Sequence, residues 1–172
     1  MQNVFLTADT HFDHRNIIKY CNRDFNSVEE MNQTIIDNWN NVVKKNDIIY
    51  HLGDFAFNNH LKFIKQLNGK KHLILGNHDE MSKFLHQYFT SVQQYKVLKF
   101  VEPNITLFHY ALRVWHKSHF GAYHAYGHSH GTLPSIGKSH DVGVDTNNFK
   151  PYALEDLNEI FRNKQININM VD

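Results

Sequence analysis

Carboxylates, imidazoles and one amide recur in this chain in combinations that suit metal chemistry. Asp9-Thr10-His11 sets an imidazole two residues after a carboxylate, and Gly53-Asp54 offers a second carboxylate. Gly76-Asn77-His78-Asp79 joins an amide oxygen, an imidazole and a third carboxylate, and His109, His128 and His130 follow later in the chain. Such oxygen and nitrogen donors suit borderline divalent ions (Mn, Fe, Co, Ni or Zn) and argue against a thiolate site. The candidate ligands Asp9, His11, Asp54, Asn77, His109, His128 and His130 outnumber the shell of a lone structural zinc. They match two ions sharing a carboxylate, the arrangement that clamps the oxygens of an in-line displacement with its metals about 3.5–4 Å apart.

Three of these motifs follow apolar runs. Val4 to Ala8 ends at Asp9, Asp47 to Leu52 ends at Gly53-Asp54, and Lys71 to Leu75 ends at Gly76. Each run reads as a strand. Between them Ser27 and Glu30 form a capping-box pattern, and Val28, Met31, Ile35, Trp39 and Val42 recur at helical spacing. A short helix carrying Leu61, Ile64 and Leu67 is expected before Asn68-Gly69. This alternation implies a parallel sheet under helices, in which ligands gather beyond the carboxyl ends of the strands.

The second half reads differently. Val92 to Val101 and Ile105 to His109 predict an antiparallel hairpin around Glu102-Pro103-Asn104. Tyr123 to Tyr126 predicts a strand running into Gly127-His128-Ser129-His130; on an extended segment, side chains two apart point the same way, so both imidazoles can face one site. Asp141 to Asp145 is a further candidate strand. Leu154, Leu157, Ile160 and Phe161 mark a final helix, and Ile166, Ile168 and Met170 alternate as an edge strand would. With no linker or repeat between the halves, residues 1–172 are expected to form one domain of two packed sheets.

Composition sets outer bounds. With 172 residues, 41% of them hydrophobic, the chain can close a core. A net charge of +1 gives no basic field of the kind that gathers nucleic acid, so nucleic acid is not the favoured partner. The single cysteine, Cys21, allows no internal disulfide, and the N-terminus lacks the basic and apolar pattern of a signal peptide. No apolar run approaches the roughly 20 residues that cross a bilayer. A cytoplasmic protein with no membrane partner is expected.

The order Asp-x-His, Gly-Asp, Gly-Asn-His-Asp, His, Gly-His-x-His, running from Asp9 to His130, resembles that of the calcineurin-like metallophosphoesterases. The resemblance implies an α/β fold, a four-layer αββα sandwich with two packed mixed β-sheets. It assigns Asp9, His11 and His130 to a first divalent ion, and Asn77, His109 and His128 to a second, with Asp54 bridging. It makes His78 the general acid and Asp79 its orienting partner. The activity implied is hydrolysis of a phosphoester, a phosphodiester before a monoester, by a hydroxide between the ions. Phe55-Ala56-Phe57 stands where the protein-phosphatase branch carries Asp-Arg-Gly, which points to the small bacterial and phage-type branch and away from phosphoprotein substrates. A small phosphoester, nucleotide-like among the options, is the expected partner. Arg113, with its planar fork, and His14 and Arg15 are the candidate phosphate contacts.

Plainer roles exist for each residue. Asp9 and Asp54 could cap helices, Asn77 could serve a turn, and His109 alone could be an ordinary strand histidine. His60, His72, His86 and His140 suit surface or packing positions, and His51 suits either the core or a place behind the ligands. Two rival functions stand beside the leading one: a metal-dependent nuclease, which would need a basic groove, and a catalytically silent binding scaffold of the same fold.

Overall fold

A computed structural model of the chain describes residues 2–79 and 83–166. The first sheet is built on the three strands that precede the motifs, β1 (Val4–Thr7), β2 (Ile48–His51) and β3 (Lys70–Ile74). They pair in parallel, Leu6 opposite Tyr50 and Tyr50 opposite His72. A fourth strand, β4 (Ser91–Gln93), continues the parallel pairing beside β3. The second sheet runs β5 (Tyr95–Leu98), β6 (Ile105–Phe108), β7 (Tyr123–Tyr126), β8 (Ser139–Asp141). Its first pair is antiparallel and the rest parallel. Finally β9 (Tyr152–Ala153) returns to the first sheet, antiparallel to β1. Both sheets are therefore mixed.

Strand alternation divides the core. Phe5, Ile49 and Leu73 face one way and pack with the helices α1 (Ile17–Tyr20), α2 (Val28–Val42) and α3 (His60–Ile64). Leu6, Tyr50 and Ile74 face the other way and meet Ile105, Leu107, Tyr123 and Ala125 of the second sheet. The helix α4 (Lys83–Tyr88) precedes β4, and α5 (Leu154–Arg162) adds Leu157 and Phe161 to the inter-sheet core. The far side of the second sheet, at Thr106 and His124, is covered by the segment from Tyr110 to Ala122, which includes a 3-10 turn at Ser118–Phe120. Two packed mixed sheets with flanking helices thus form the expected α/β architecture. Among the described residues no helix is long and apolar enough to cross a membrane.

The helix α2 forms where its sequence signals lie. Ser27 Oγ accepts the Glu30 amide at 3.1 Å. The Glu30 carboxylate accepts the Asn26 amide at 2.9 Å, so the return arm of the capping box lands one residue early. Met31 and Ile35 are fully buried, each stabilising the fold by about 1.5–3 kcal/mol. Trp39 Nε1 donates to the Asn68 carbonyl, tying the helix to the turn before β3.

Three expectations need correction. The hairpin begins at Tyr95 rather than Val92: a bend at Gln94 splits the apolar run, because Val92 pairs with Leu73 in the first sheet while Tyr95 pairs with Phe108 in the second. Asp141 ends a strand instead of opening one. Its carboxylate accepts the Gly131 and Gly143 amides and so closes a turn, after which Val144–Thr146 forms a 3-10 helix. The short helix after Asp54 stops at Ile64, leaving Leu67 to bury its side chain from a turn. Of the alternating tail, Ile168 and Met170 lie outside the described residues.

Candidate metal centre

Hydrogen bonding continues past the strand ends, and this brings the motifs together. Asp9, His11 and Phe12 donate their amides to the carbonyls of Gly53, Asp54 and Phe55, at 2.9, 3.0 and 3.0 Å. The two sheets are joined at the same edge. Val144 donates its amide to the Ala8 carbonyl, and within the second sheet Gly127 donates to that of His109. Gly127 is tucked so close that a Cβ there would lie 2.6 Å from both Ala8 Cβ and Asp9 Oδ2, which only glycine avoids.

Five of the seven candidate ligands sit in turns of left-handed backbone. Asp9, His11, Asp54, His128 and His130 have φ of 57°, 49°, 57°, 66° and 47°. Each such residue costs about 1–3 kcal/mol, and clustering of that strain is a mark of functional sites. It also corrects the expectation for the histidine pair. His128 and His130 lie in a turn, not on a pleat, while their imidazoles still line one cavity.

Two triads result. Asp9, His11 and His130 each bring one ligand atom to within 4.8 Å of the others, and so do Asp54, His109 and His128. Asn77 Oδ1 is 3.0 Å from His109 Nε2, beside the second triad. Asp54 links the two: its Oδ2 lies 3.5 Å from His11 Nε2 and 3.6 Å from His109 Nε2. The donors fit a cation. Asp9 Oδ1 and His11 Nε2 are buried with no hydrogen-bond partner among the described residues, a costly state that a bound ion would relieve. Two groups of aspartate and histidine here could therefore hold metal ions.

Electrostatics reflect the crowding. Burial raises the Asp9 carboxyl well above the usual range and pulls the His11 imidazole down to about 2, with Arg23 and the neighbouring histidines adding to the latter. Burial also acts against charge on His130. Hydrogen bonds to Asp145 and Cys21, with the Asp9 charge, override it and raise the group to about 10.

The surrounding residues set ring orientations. His109 Nδ1 donates to the Leu52 carbonyl at 2.7 Å, and His130 Nδ1 to Asp145 Oδ2 at 2.7 Å, which turns each Nε2 inward. Arg23 holds Asp145 through both oxygens, at 2.7 and 2.8 Å, and donates to the Asp9 carbonyl at 2.7 Å. Tyr110 meets His128 and His109 edge-on, at 4.7 and 4.9 Å between ring centres. The sequence reading gave no role to Arg23, Asp145 or Tyr110. A buried arginine between Asn22 and Asp24 carries no local signature, and Asp145 was read as part of a strand. His51 lies behind the site, with Nε2 2.9 Å from Thr10 Oγ1.

Of the remaining candidates, His78 is exposed and lines a 430 Å³ cavity with His11, His14, Asp54, Asn77, His128 and His130. Asp79 is tied to the main chain. Its carboxylate accepts the amides of Asp54, Gly76 and Phe55, so it braces the two turns that carry Asp54 and His78. His14 is at the site, 5.4 Å from the His11 ring. Arg15 is exposed and does not line the cavity. Arg113 lines a largely apolar pocket with Leu112, Tyr126 and Ile136. Trp115 packs on His124 across the second sheet.

No protein-family model matches the chain. Among solved structures, the protein of unknown function AQ665 from Aquifex aeolicus superposes with a TM-score of 0.76 at 26% identity, covering 93% of this chain and all of that one. A looser similarity, TM-score 0.43 at 16% identity over 83% of this chain and 78% of the other, is to YfcE, a phosphoesterase from E. coli. The uncharacterized protein MJ1445 of Methanocaldococcus jannaschii is 36% identical across 90% of this chain and 89% of its own length. At that identity and coverage, the chain belongs to the same family as MJ1445.

Proposed function

We propose that the chain hydrolyses phosphoesters, phosphodiesters in preference to monoesters, as a calcineurin-like metallophosphoesterase of the small bacterial and phage-type branch. The observation that carries this reading is the position of the Asp54 carboxylate, within 3.6 Å of histidines from both triads. Asp9, His11 and His130 would hold one divalent ion and Asn77, His109 and His128 the other, with the Asp54 carboxylate between them. Divalent ions at these residues would supply a water of lowered pKa and positive charge opposite the phosphoryl oxygens. The chain's own residues do the rest. Asp145 and the Leu52 carbonyl fix the tautomers of His130 and His109. The His78 amide donates to Asp54 Oδ1 at 3.0 Å, which keeps the shared carboxylate in line, while its imidazole faces the cavity. There it would hold a proton for the departing oxygen.

The test is to strip the chain with chelator, restore Mn, Fe, Co, Ni or Zn in turn, and assay a chromogenic phosphodiester against the matching monoester. Turnover should vanish on chelation, return with a transition metal, and favour the diester. Bound metal without turnover on either ester would overturn the reading and favour the scaffold.

A further inference from the structure

Two aromatic rings stand exposed at the cavity that holds His78. Tyr20 is 73% exposed and Phe57 is 55% exposed. Both line the 430 Å³ cavity with His11, Asp54 and His78, and Tyr20 also lines an adjoining cavity of 590 Å³ that shares His128 and His130. The two rings come from different segments, the first the last residue of α1 and the second just beyond the Asp54 turn. Phe57 is not loose. It stacks on His14, with ring centres 4.8 Å apart and planes within 12°. His14 in turn lies 5.4 Å from His11 and 6.2 Å from His78, and Tyr20 meets it edge-on at 6.2 Å. A braced π-surface thus lies one imidazole away from the first triad.

Such a surface selects among phosphoesters. Sugar phosphates, glycerol-based esters and phosphoserine peptides present no planar ring near phosphorus. A nucleotide presents one a single sugar away, and bases stack on aromatic side chains whatever their sequence. The near-neutral charge of the chain suits a short ligand better than a long polyanion. We propose that the substrate carries a nucleobase beside the reacting phosphorus, stacked on the platform formed by Phe57 and Tyr20. This rests on the two-ion phosphoesterase reading and narrows it to nucleotide esters.

The test uses the full chain reloaded with Mn and compares AMP, ribose 5-phosphate and a 5′-phosphorylated dinucleotide by titration calorimetry. AMP should bind more tightly than ribose 5-phosphate by about tenfold or more. That ratio should collapse toward one in the Phe57→Leu/Tyr20→Leu double variant and survive in Tyr20→Phe. Because both side chains are exposed, the variants are expected to fold, which circular dichroism checks. Equal affinity of AMP and the dinucleotide would identify a free nucleotide as the ligand, and a gain for the dinucleotide would identify a strand end; either result agrees with the platform. Equal affinity of AMP and ribose 5-phosphate in the unaltered chain, or a ratio unchanged in the double variant, would overturn it while leaving the phosphoesterase reading intact. Failure of every phosphate ligand to bind a chain shown by elemental analysis to carry Mn would remove both.

Discussion

His130 presents one nitrogen to Asp9 and His11 because Asp145 takes the other. Asp145 is itself held by the buried Arg23, so the ring orientation rests on a chain of three side chains, two of them invisible to the motif pattern. Asp145→Asn breaks the charged pairing with both partners. Metal affinity should fall about 10- to 100-fold, the usual cost of losing a carboxylate behind a ligating histidine. Competition against a chromogenic chelator measures it, and an unchanged affinity would exclude the positioning role. His78 predicts the opposite split. His78→Ala keeps the backbone amide that holds Asp54, so it should retain metal while losing about 10²–10⁴-fold in turnover on esters with poor leaving groups. Full activity on such an ester would refute the acid role. What the sequence made legible at this scale was proximity: a polar residue just past an apolar run sits at a strand end. Orientation was not legible, because Arg23 and Asp145 meet across 122 residues and Asp79 is bound by backbone amides that no pattern names.

At the scale of elements, β7 shows how one buried imidazole secures a loop. His124 Nδ1 is 3.1 Å from the Thr106 carbonyl, and Nε2 is 3.0 Å from the Leu112 amide. In the neutral tautomer assigned here, Nδ1 donates and Nε2 accepts. Burial pulls its pKa down to about 4, although the neighbouring carbonyls act to raise it. The unfolded chain takes up this proton near pH 6.5 and the folded chain only near pH 4. The stability that His124 contributes is therefore present in full above about pH 6.5 and is lost, by roughly 3 kcal/mol, as pH falls toward 4. Urea unfolding of the unaltered chain and of His124→Asn at pH 7 and 4.5 should show the gap between them narrowing; a constant gap would contradict this. Regular elements were the most readable part of the sequence. The stripe Val28, Met31, Ile35, Trp39 marks α2 because one helix face meets one sheet face. The switch of sheets at Gln94 was not readable, since Val92 and Val97 look alike until their partners, Leu73 and Thr106, are known. The left-handed turns at Asp9, Asp54 and His128 were equally hidden, because aspartate and histidine tolerate that conformation without advertising it.

Across the whole molecule, the candidate ligands are divided between the sheets. Asp9, His11, Asp54 and Asn77 follow strands of the first, while His109, His128 and His130 follow strands of the second. Each triad draws on both, so an ion held by either one would clamp the two sheets together. That two sheets exist could be read from the change of pattern along the chain. Their docking edge could not, because the Ala8–Gly143 bridge and the fit of Gly127 against Asp9 are contacts between distant, individually ordinary residues. Metal occupancy should therefore appear as global stability. An ion at about one hundred times its dissociation constant adds roughly 2.7 kcal/mol. For a chain of this size that corresponds to a melting temperature about 5–10 °C higher. Thermal unfolding with chelator, with Mn, and with Mn after Asp54→Asn measures the effect. The variant removes a carboxylate charge from between the triads, so it should respond less than the unaltered chain. If Mn binds yet leaves the melting temperature of the unaltered chain where chelator put it, the ion is not bridging the sheets, and the two triads cannot be its site.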